Sequence, residues 1–376
     1  MKTSNYLWAM LATATLSLTA CGSDENESVN QPKEKTARLE LTLVGTPADS
    51  RATGELPTDD ESQINRLTVA VFTGAEGNPV NALHEFTGDD IKDAAGGVTG
   101  KKITMLCEPG TGQTIYVVAN AASKLFAGVT NLAGFQAKLA LLSETTKSAG
   151  TGDVTDAQKA NNLPMLGIST GKDFTAGGEL KAEIALSRLV ARVSISSIKT
   201  AFDAAGQFKD ATFKVDAVYL KNANSSVNMK KEGSVPINGG HEGAVVTQYL
   251  YETVASHTAN TELKTPYYFY TFPNVSEDNP TRLIIKGTFD ADGKGATKVT
   301  RYYPIVINKK QANTTITAGQ GTDKGSIAFN TKYVLTAVIK GEGAPDDDTD
   351  IDPATLQLTV TVADWALTIN QDVTFE

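Results

Sequence analysis

The sequence predicts an all-β protein built as two tandem β-sandwich domains, with a short helix inserted in the first and an extra strand at the C-terminus. Three observations carry this reading. Apolar residues alternate with period two through most of the chain after residue 36, the signature of half-buried strands. Gly and Asn clusters at 221–240 and 287–296 read as loops or hairpin ends between those strands. With only 2 cysteines in 376 residues, no disulfide framework is available, so packed sheets must supply the core. The length suits two domains. Acidic residues exceed basic ones, 43 to 34, for a formal charge of -9, which argues against nucleic-acid binding.

The N-terminus carries an export signal. Lys2 gives a positive start, Tyr6 to Ala20 is a mostly apolar run, and Leu18-Thr19-Ala20 stands directly before Cys21. So short a run followed by polar residues is a secretory signal peptide rather than a membrane span. The small residues before Cys21 resemble the bacterial lipoprotein processing box, which implies diacylation of the Cys21 thiol and cleavage just before it. Two acyl chains anchor stably, where one binds only marginally. Residues 22–35 form a polar tether with no apolar periodicity and need not fold. Cys107, left without a partner, reads as a small buried hydrophobe.

The strands follow in order. Ala37, Leu39, Leu41 and Leu43 share one face of the first, with Arg38, Glu40 and Thr42 on the other. Leu67, Val69 and Val71 align in a second, and Ile115, Val117 and Ala119 in a third. Leu132, Phe135, Leu139 and Leu142 recur at helical spacing behind Thr130 or Asn131 as cap, predicting a helix over a sheet edge. Ala157 to Asn162 suggests a further helical turn. From 179 to 198 the apolar set runs Leu180, Ala182, Ile184 and Leu186, then changes phase to Leu189, Ala191, Val193 and Ile195. A strict period cannot skip a position, so a bulge, bend or break belongs near Ser187–Arg188. Further strands are expected in 213–220, 282–289, 301–307 and 333–339, and Pro304 assigns its strand to an edge or a bulge. A domain boundary is expected near Gly206.

The aspartate-rich run 341–354 reads as a solvated linker. After it, Leu356, Leu358, Val360 and Val362 align on one face, and a phase shift hands over to Trp365, Leu367 and Ile369, continued by Val373 and Phe375. Such a strand can complete its own sheet or add to the exposed edge of another subunit.

No catalytic constellation emerges. His84, His241 and His257 lack metal-ligand spacing, and no phosphate loop, CxxC or nucleophile elbow is present. Asp290 to Gly295 has the flavour of a calcium loop but lacks the closing Glu, so an acidic hairpin turn is the simpler reading. The aromatic run Tyr267 to Phe272 suits a core or edge stripe better than a glycan platform. The chain is read as a non-enzyme with no metal or cofactor. Arg51, by contrast, stands in a Pro-, Gly- and Asp-rich stretch just after the first strand, where a protease can reach the backbone.

Taken in order, Cys21, the early strand before Arg51, "INRLTVAVF", "LSRLVARVSI", "RYYPIVI", and "KYVLTAVIKGEG" leading into "LQLTVTVADW" resemble the major fimbrial subunit (fimbrillin) superfamily of Bacteroides- and Porphyromonas-type bacteria. The resemblance covers essentially the whole precursor and implies two transthyretin-like sandwich domains. It implies an outer-membrane lipoprotein precursor, lipidated at Cys21, that becomes part of an extracellular fimbrium. An arginine-specific protease would cut between Arg51 and Ala52, removing the strand that carries Ala37, Leu39, Leu41 and Leu43. The C-terminal strand of one subunit, Leu356, Leu358, Val360 and Val362 with Trp365, Leu367 and Ile369, would then enter the vacated groove of the next. The implied partners are copies of the chain, anchor and tip subunits, and a host or bacterial surface receptor, in support of adhesion or biofilm formation. The corresponding division is 1–20 signal, 21–51 tether and removable strand, 52–205 and 206–345 domains, and 346–376 linker and donor. A tip or accessory adhesin is the alternative within the same fold. A monomeric ligand-binding surface lipoprotein, keeping Cys21 and packing its last strand at home, is the alternative outside it.

Overall fold

The alternating segments form strands. The computed structural model describes residues 36–42, 60–91, 102–147, 157–182, 184–233, 236–237, 239, 247–312, 314–317 and 321–364. The first half contains β1 (Ala37–Thr42), β2 (Arg66–Phe72), β3 (Val80–Thr87), β4 (Lys102–Cys107), β5 (Gly110–Ala119), β6 (Leu139–Leu141), β7 (Met165–Phe174), β8 (Glu179–Ala182) and β9 (Ser187–Arg188), with one helix, α1 (Leu132–Gln136). The second half opens with β10 (Ala191–Thr200), β11 (Thr212–Lys221), β12 (Ala223–Asn224), β13 (Ser226–Asn228), β14 (Pro236–Ile237), β15 (Tyr251–Thr253) and β16 (Tyr267–Thr271). It closes with β17 (Arg282–Asp290), β18 (Lys298–Val306), β19 (Thr314–Thr317), β20 (Thr331–Ile339) and β21 (Leu356–Asp364).

Two sheets build the first half, one of five strands in the order β3-β2-β5-β7-β9 and one of three in the order β4-β1-β8. Leu39, Leu41 and Ile103 of the small sheet meet Leu67, Val69, Val71, Ile115 and Val117 of the large one in a single apolar cluster. The other face of the large sheet is covered too. Ala70, Phe72, Tyr116 and Val118 join Phe135 of α1 in a second cluster that continues into the other half, with Phe135 stacked on Phe126 at 4.1 Å. Burial on both faces explains why β2 and β5 carry apolar residues at both phases. In the second half the order β16-β10-β20-β21-β19 is packed against β15-β11-β17-β18. Val193, Ile195, Leu335 and Leu358 of the former share a core with Val215, Leu283, Ile285 and Ile305 of the latter. Pro304 lies in β18, an edge strand as expected, where its missing donor faces no ladder.

Two expectations change. Helical spacing predicted one helix through Leu142, but α1 ends at Gln136 and Leu139 enters β6, which pairs with β13 across the halves. Strand pairing overrides a weak helical pattern there. The predicted cap is real: Asn131 Oδ1 accepts from the Gly134 N–H at 2.8 Å. The phase change near Ser187–Arg188 proves to be a change of sheet, since Arg188 pairs with Met165 of β7 while β10 pairs with β16 and β20. Residues 191–200, which a boundary near Gly206 places in the first domain, are therefore hydrogen-bonded into the second half. The polar, glycine-marked stretch after β10 drew attention away from the crossing itself, where Leu189 and Val190 are fully buried and carry no turn signal.

A buried ionic cluster ties the halves together at this crossing. Glu61, 1% exposed, sits in a single 3-10 turn, Asp60–Ser62. Its Oε1 accepts from Arg192 Nη1 at 2.9 Å and from the Tyr270 hydroxyl at 2.7 Å. Arg188 Nε donates to the Glu61 carbonyl at 3.0 Å. Burial lowers the Arg188 guanidinium to about 10, against the pull of the Glu61 charge. Charges taken out of water this far depend on their partners. Replacing Glu61 by Ala is expected to cost about 3–5 kcal/mol, the effect of stranding one member of a buried pair, measured by urea unfolding of the full chain.

Candidate functional site

β1 occupies the middle of its sheet, and this position defines the site. It runs antiparallel to β4, with Ala37 opposite Cys107, Leu39 opposite Met105 and Leu41 opposite Ile103. It runs parallel to β8, with Leu39 beside Leu180 and Leu41 beside Ala182. Arg38 N donates to the Gly178 carbonyl and Gly177 N to the Thr36 carbonyl, both at 2.9 Å. Ala37, Leu39 and Leu41 are buried at 2%, 0% and 6% exposure, and Val69, Phe86, Ile103 and Met105 close around the two leucines. Each fully buried leucine contributes about 1.5–3 kcal/mol. The outward face is tied more weakly, by an exposed ion pair of 3.0 Å between Lys102 and Glu40. Cys107 is buried opposite Ala37 as the small hydrophobe expected, and burial pushes its thiol up to about 11. Sequence reasoning did not single out β4 as a wall of this slot, although Ile103, Met105 and Cys107 alternate as a strand requires.

At the other end, β21 lies inside its own sheet. All nine of its residues pair with β20, from Ile339 opposite Leu356 to Thr331 opposite Asp364, and four pair with β19. Leu356, Leu358 and Val360 are buried in the core of the second half, and Val362 stands opposite Tyr333 in the ladder. Cys21, Leu43, Arg51, Ala52, Trp365, Leu367 and Ile369 lie outside the described residues.

The acidic run before β21 is more than the solvated linker expected. Asp347 accepts from the Tyr219 hydroxyl at 2.6 Å and from Lys221 Nζ at 2.7 Å, and Lys221 also reaches Asp348 at 2.6 Å. Arg282 holds Asp350 at 2.7 Å. A connector meant only for solvent has no need of these contacts, which clasp it to β11 and β17. Burial pushes the Asp347 carboxyl up, but the hydrogen bonds from Lys221 and Tyr219 outweigh it and hold the group below its ordinary value.

The remaining candidates have structural roles. His257 Nδ1 accepts from Val215 N at 2.9 Å and its Nε2 faces the Thr261 carbonyl at 3.1 Å. His84 packs edge-on against Phe86, and His241 lies outside the described residues. Asp290 accepts from Gly295 N and the Thr297 hydroxyl, so its carboxylate closes the hairpin turn. No group of ligating side chains with metal geometry occurs among the described residues. In the aromatic run, Phe269, Tyr270 and Phe272 are core, while Tyr267 and Tyr268 are half-buried.

Two family models meet end to end on this chain. Residues 37–188 match the major fimbrial subunit protein (FimA) model, and residues 189–373 match the C-terminal domain of Fim1C-like fimbrium tip subunits. The chain belongs to the fimbrillin family. The junction at 188/189 coincides with the passage from β9 to β10. Among related proteins, the major fimbrium subunit FimA type-3 of Porphyromonas gingivalis is 25% identical, over 95% of this chain and 96% of its own length. A FimA type-2 subunit of the same organism is also 25% identical, over 97% and 98%. The crystal structure of a Porphyromonas gingivalis fimbrilin superposes on this fimbrillin with a TM-score of 0.62 at 18% identity, covering 89% of this chain and 99% of that one. The chain is thus a structural fimbrial subunit with the all-β fimbrilin fold.

The clasp predicts an acid dependence. A carboxyl whose folded value is depressed contributes stability above its unfolded value, about 3.9, and loses it as pH falls through the folded value. Asp347→Asn is expected to lower stability at neutral pH, with the difference from wild type shrinking as pH drops below about 4. Chemical denaturation across pH checks this; a constant difference would rule it out.

Proposed function

We propose that this fimbrillin is the precursor of a stalk subunit, assembled by exchange of one strand for another. The reading is carried by one observation: β1 is the central strand between β4 and β8. Diacylation at Cys21 holds the precursor at the outer membrane, and an arginine-specific protease cuts between Arg51 and Ala52. β1 lies wholly upstream of that bond, so it leaves with the lipid. Two strand edges and an apolar slot lined by Val69, Phe86, Ile103 and Met105 are then open to a second copy. Unpaired edges with apolar pockets between them are what strand addition requires.

The burial of Leu356, Leu358 and Val360 at home revises which residues donate. β21 is the root, fixed between β20 and β19, and the donor is the segment after Asp364, with Trp365, Leu367 and Ile369 as plugs. Residues 365–376 span about 40 Å when extended, against about 20 Å for the six-residue β1. The resulting fibre is a cell-surface fimbrium with itself, anchor and tip subunits as partners, serving adhesion or biofilm formation. The match of residues 189–373 to tip subunits favours a second reading, a tip or accessory subunit that accepts a donor but does not propagate. Self-polymerisation of the cleaved chain separates the two.

Arg51→Ala is expected to give a folded, lipidated monomer in which the Cys107 thiol resists maleimide. Cleaved wild type should assemble into high-mass species with Cys107 again protected, by gel filtration and mass spectrometry. Normal fibres from Arg51→Ala would refute the processing step. Truncation after Asp364 should leave a cleaved monomer that stays unassembled and exposes Cys107 to the reagent. Truncation before Leu356 should instead destabilise the second half, because it removes a strand from inside that sheet; circular dichroism melting distinguishes the two.

A further inference from the structure

Residues of β15 and β16 border a cavity of about 230 Å³, lined by Gln158, Tyr249, Glu252, Pro266, Tyr267 and Tyr268. Both are edge strands of the two facing sheets in the second half, far in the chain from the β4–β8 slot. We infer that this cleft binds the side chain of a lysine or arginine presented by a partner polypeptide.

Glu252 supplies the carboxylate of the cleft. It lies on β15, opposite Val218 of β11, and no hydrogen bond or ion pair among the described residues reaches its carboxylate. Partial burial raises it above its ordinary value, and the nearby Tyr267 hydroxyl is raised in turn by burial and by the Glu252 charge. A half-desolvated carboxylate without a counter-ion is unfavourable, and a cation brought to it recovers that cost. The remaining walls suit the same guest. Three tyrosine rings line the cleft, and aromatic faces attract ammonium and guanidinium groups. The Tyr249 hydroxyl is pushed up to about 12 by burial, so it stays uncharged near neutral pH and Glu252 is the acidic group of the lining.

The walls are built beforehand. Gln158 pairs with the backbone of Tyr270 in both directions, its Nε2 donating to the carbonyl at 2.9 Å and its Oε1 accepting from the N–H at 2.8 Å. A third bond joins its Nε2 to the Thr145 hydroxyl at 3.1 Å. β15 is held to β11 by three paired residues, and Tyr251 stacks on Tyr219 at 5.3 Å. Part of the wall is thus ordered before a guest arrives, which lowers the cost of binding. The volume falls below the range of about 300–1,000 Å³ typical of whole small-molecule ligands, which favours one long side chain over an oligosaccharide.

The test titrates the full chain with Nα-acetyl-arginine methylamide, followed by tyrosine fluorescence and isothermal calorimetry. Nα-acetyl-citrulline methylamide, of nearly the same shape without the charge, is the control. Saturable binding is expected with the arginine probe, weakened about tenfold or more by citrulline. Glu252→Gln should weaken the arginine probe by a similar factor while leaving the melting temperature in place. Tyr267→Leu should weaken it with the charge retained. Equal binding of citrulline, an unaffected Glu252→Gln variant, absence of saturable arginine binding, or binding confined to a neutral trisaccharide would each overturn the inference. None of these outcomes depends on strand exchange, since the full chain is tested before any cleavage.

Discussion

The structure turns on β1 being shared by two neighbours. β4 and β8 are adjacent in the small sheet only through it, one antiparallel and one parallel. Every backbone group that β1 contributes to those two ladders is one the rest of the chain must otherwise leave open. Buried backbone groups are rarely left unpaired, and an exposed sheet edge templates further pairing. As the central strand, β1 pairs both edges at once. It also makes the first half a two-part object: a five-stranded sheet that does not include β1, and a three-stranded one whose outer strands meet only through it. The apolar face of that middle, with Leu39 and Leu41 fully inside, ties the small sheet to the large one as well.

The chain downstream of β1 has a mooring of its own. Glu61 stands a few residues beyond Arg51 and is bonded to Arg192, Tyr270 and Arg188, all outside the small sheet. The buried pair also explains an oddity of β10, in which Arg192 is as buried as Val193 beside it. An arginine at that depth belongs there only with a carboxylate in reach. The cluster fixes residues 60–62 to the junction of the two halves through contacts that do not involve β1.

Much of this was legible in the sequence because period-two alternation maps directly onto faces. Leu39 and Leu41, Leu67 and Val69, and Ile115 and Val117 share the one cluster that their spacing assigns them. The illegible parts have physical causes. The helical spacing through Leu142 ignored β13, whose pairing with Leu139 to Leu141 is set by residues more than eighty positions away. The crossing at Leu189–Val190 hid because it is buried, while turn residues mark only exposed crossings. Glu61 lies in a polar stretch next to an acidic neighbour, where nothing distinguishes a buried carboxylate from a solvated one until Arg192 is placed beside it. The clasp on Asp347 is hidden for the same reason: a run of aspartates reads as solvated when Tyr219 and Lys221 are remote in sequence.

The C-terminal strand shows how a change of phase can divide labour. Along β21 the apolar residues Leu356, Leu358 and Val360 face the chain's own core, and the clasp at Asp347, Asp348 and Asp350 locks the approach to it. Past Asp364 the apolar set moves to the odd-numbered positions Trp365, Leu367 and Ile369, the face opposite to the one buried at home in a continuous strand. A strand that merely completed its own sheet would gain nothing from that shift, since it turns large side chains away from the core they would otherwise extend. A strand rooted in one subunit and donated to another, as proposed, would use that shift to offer a second apolar face. Under the strand-exchange proposal the even-numbered half would anchor the subunit and the odd-numbered half would join it to the next, with the acidic clasp holding the entry to the anchored half.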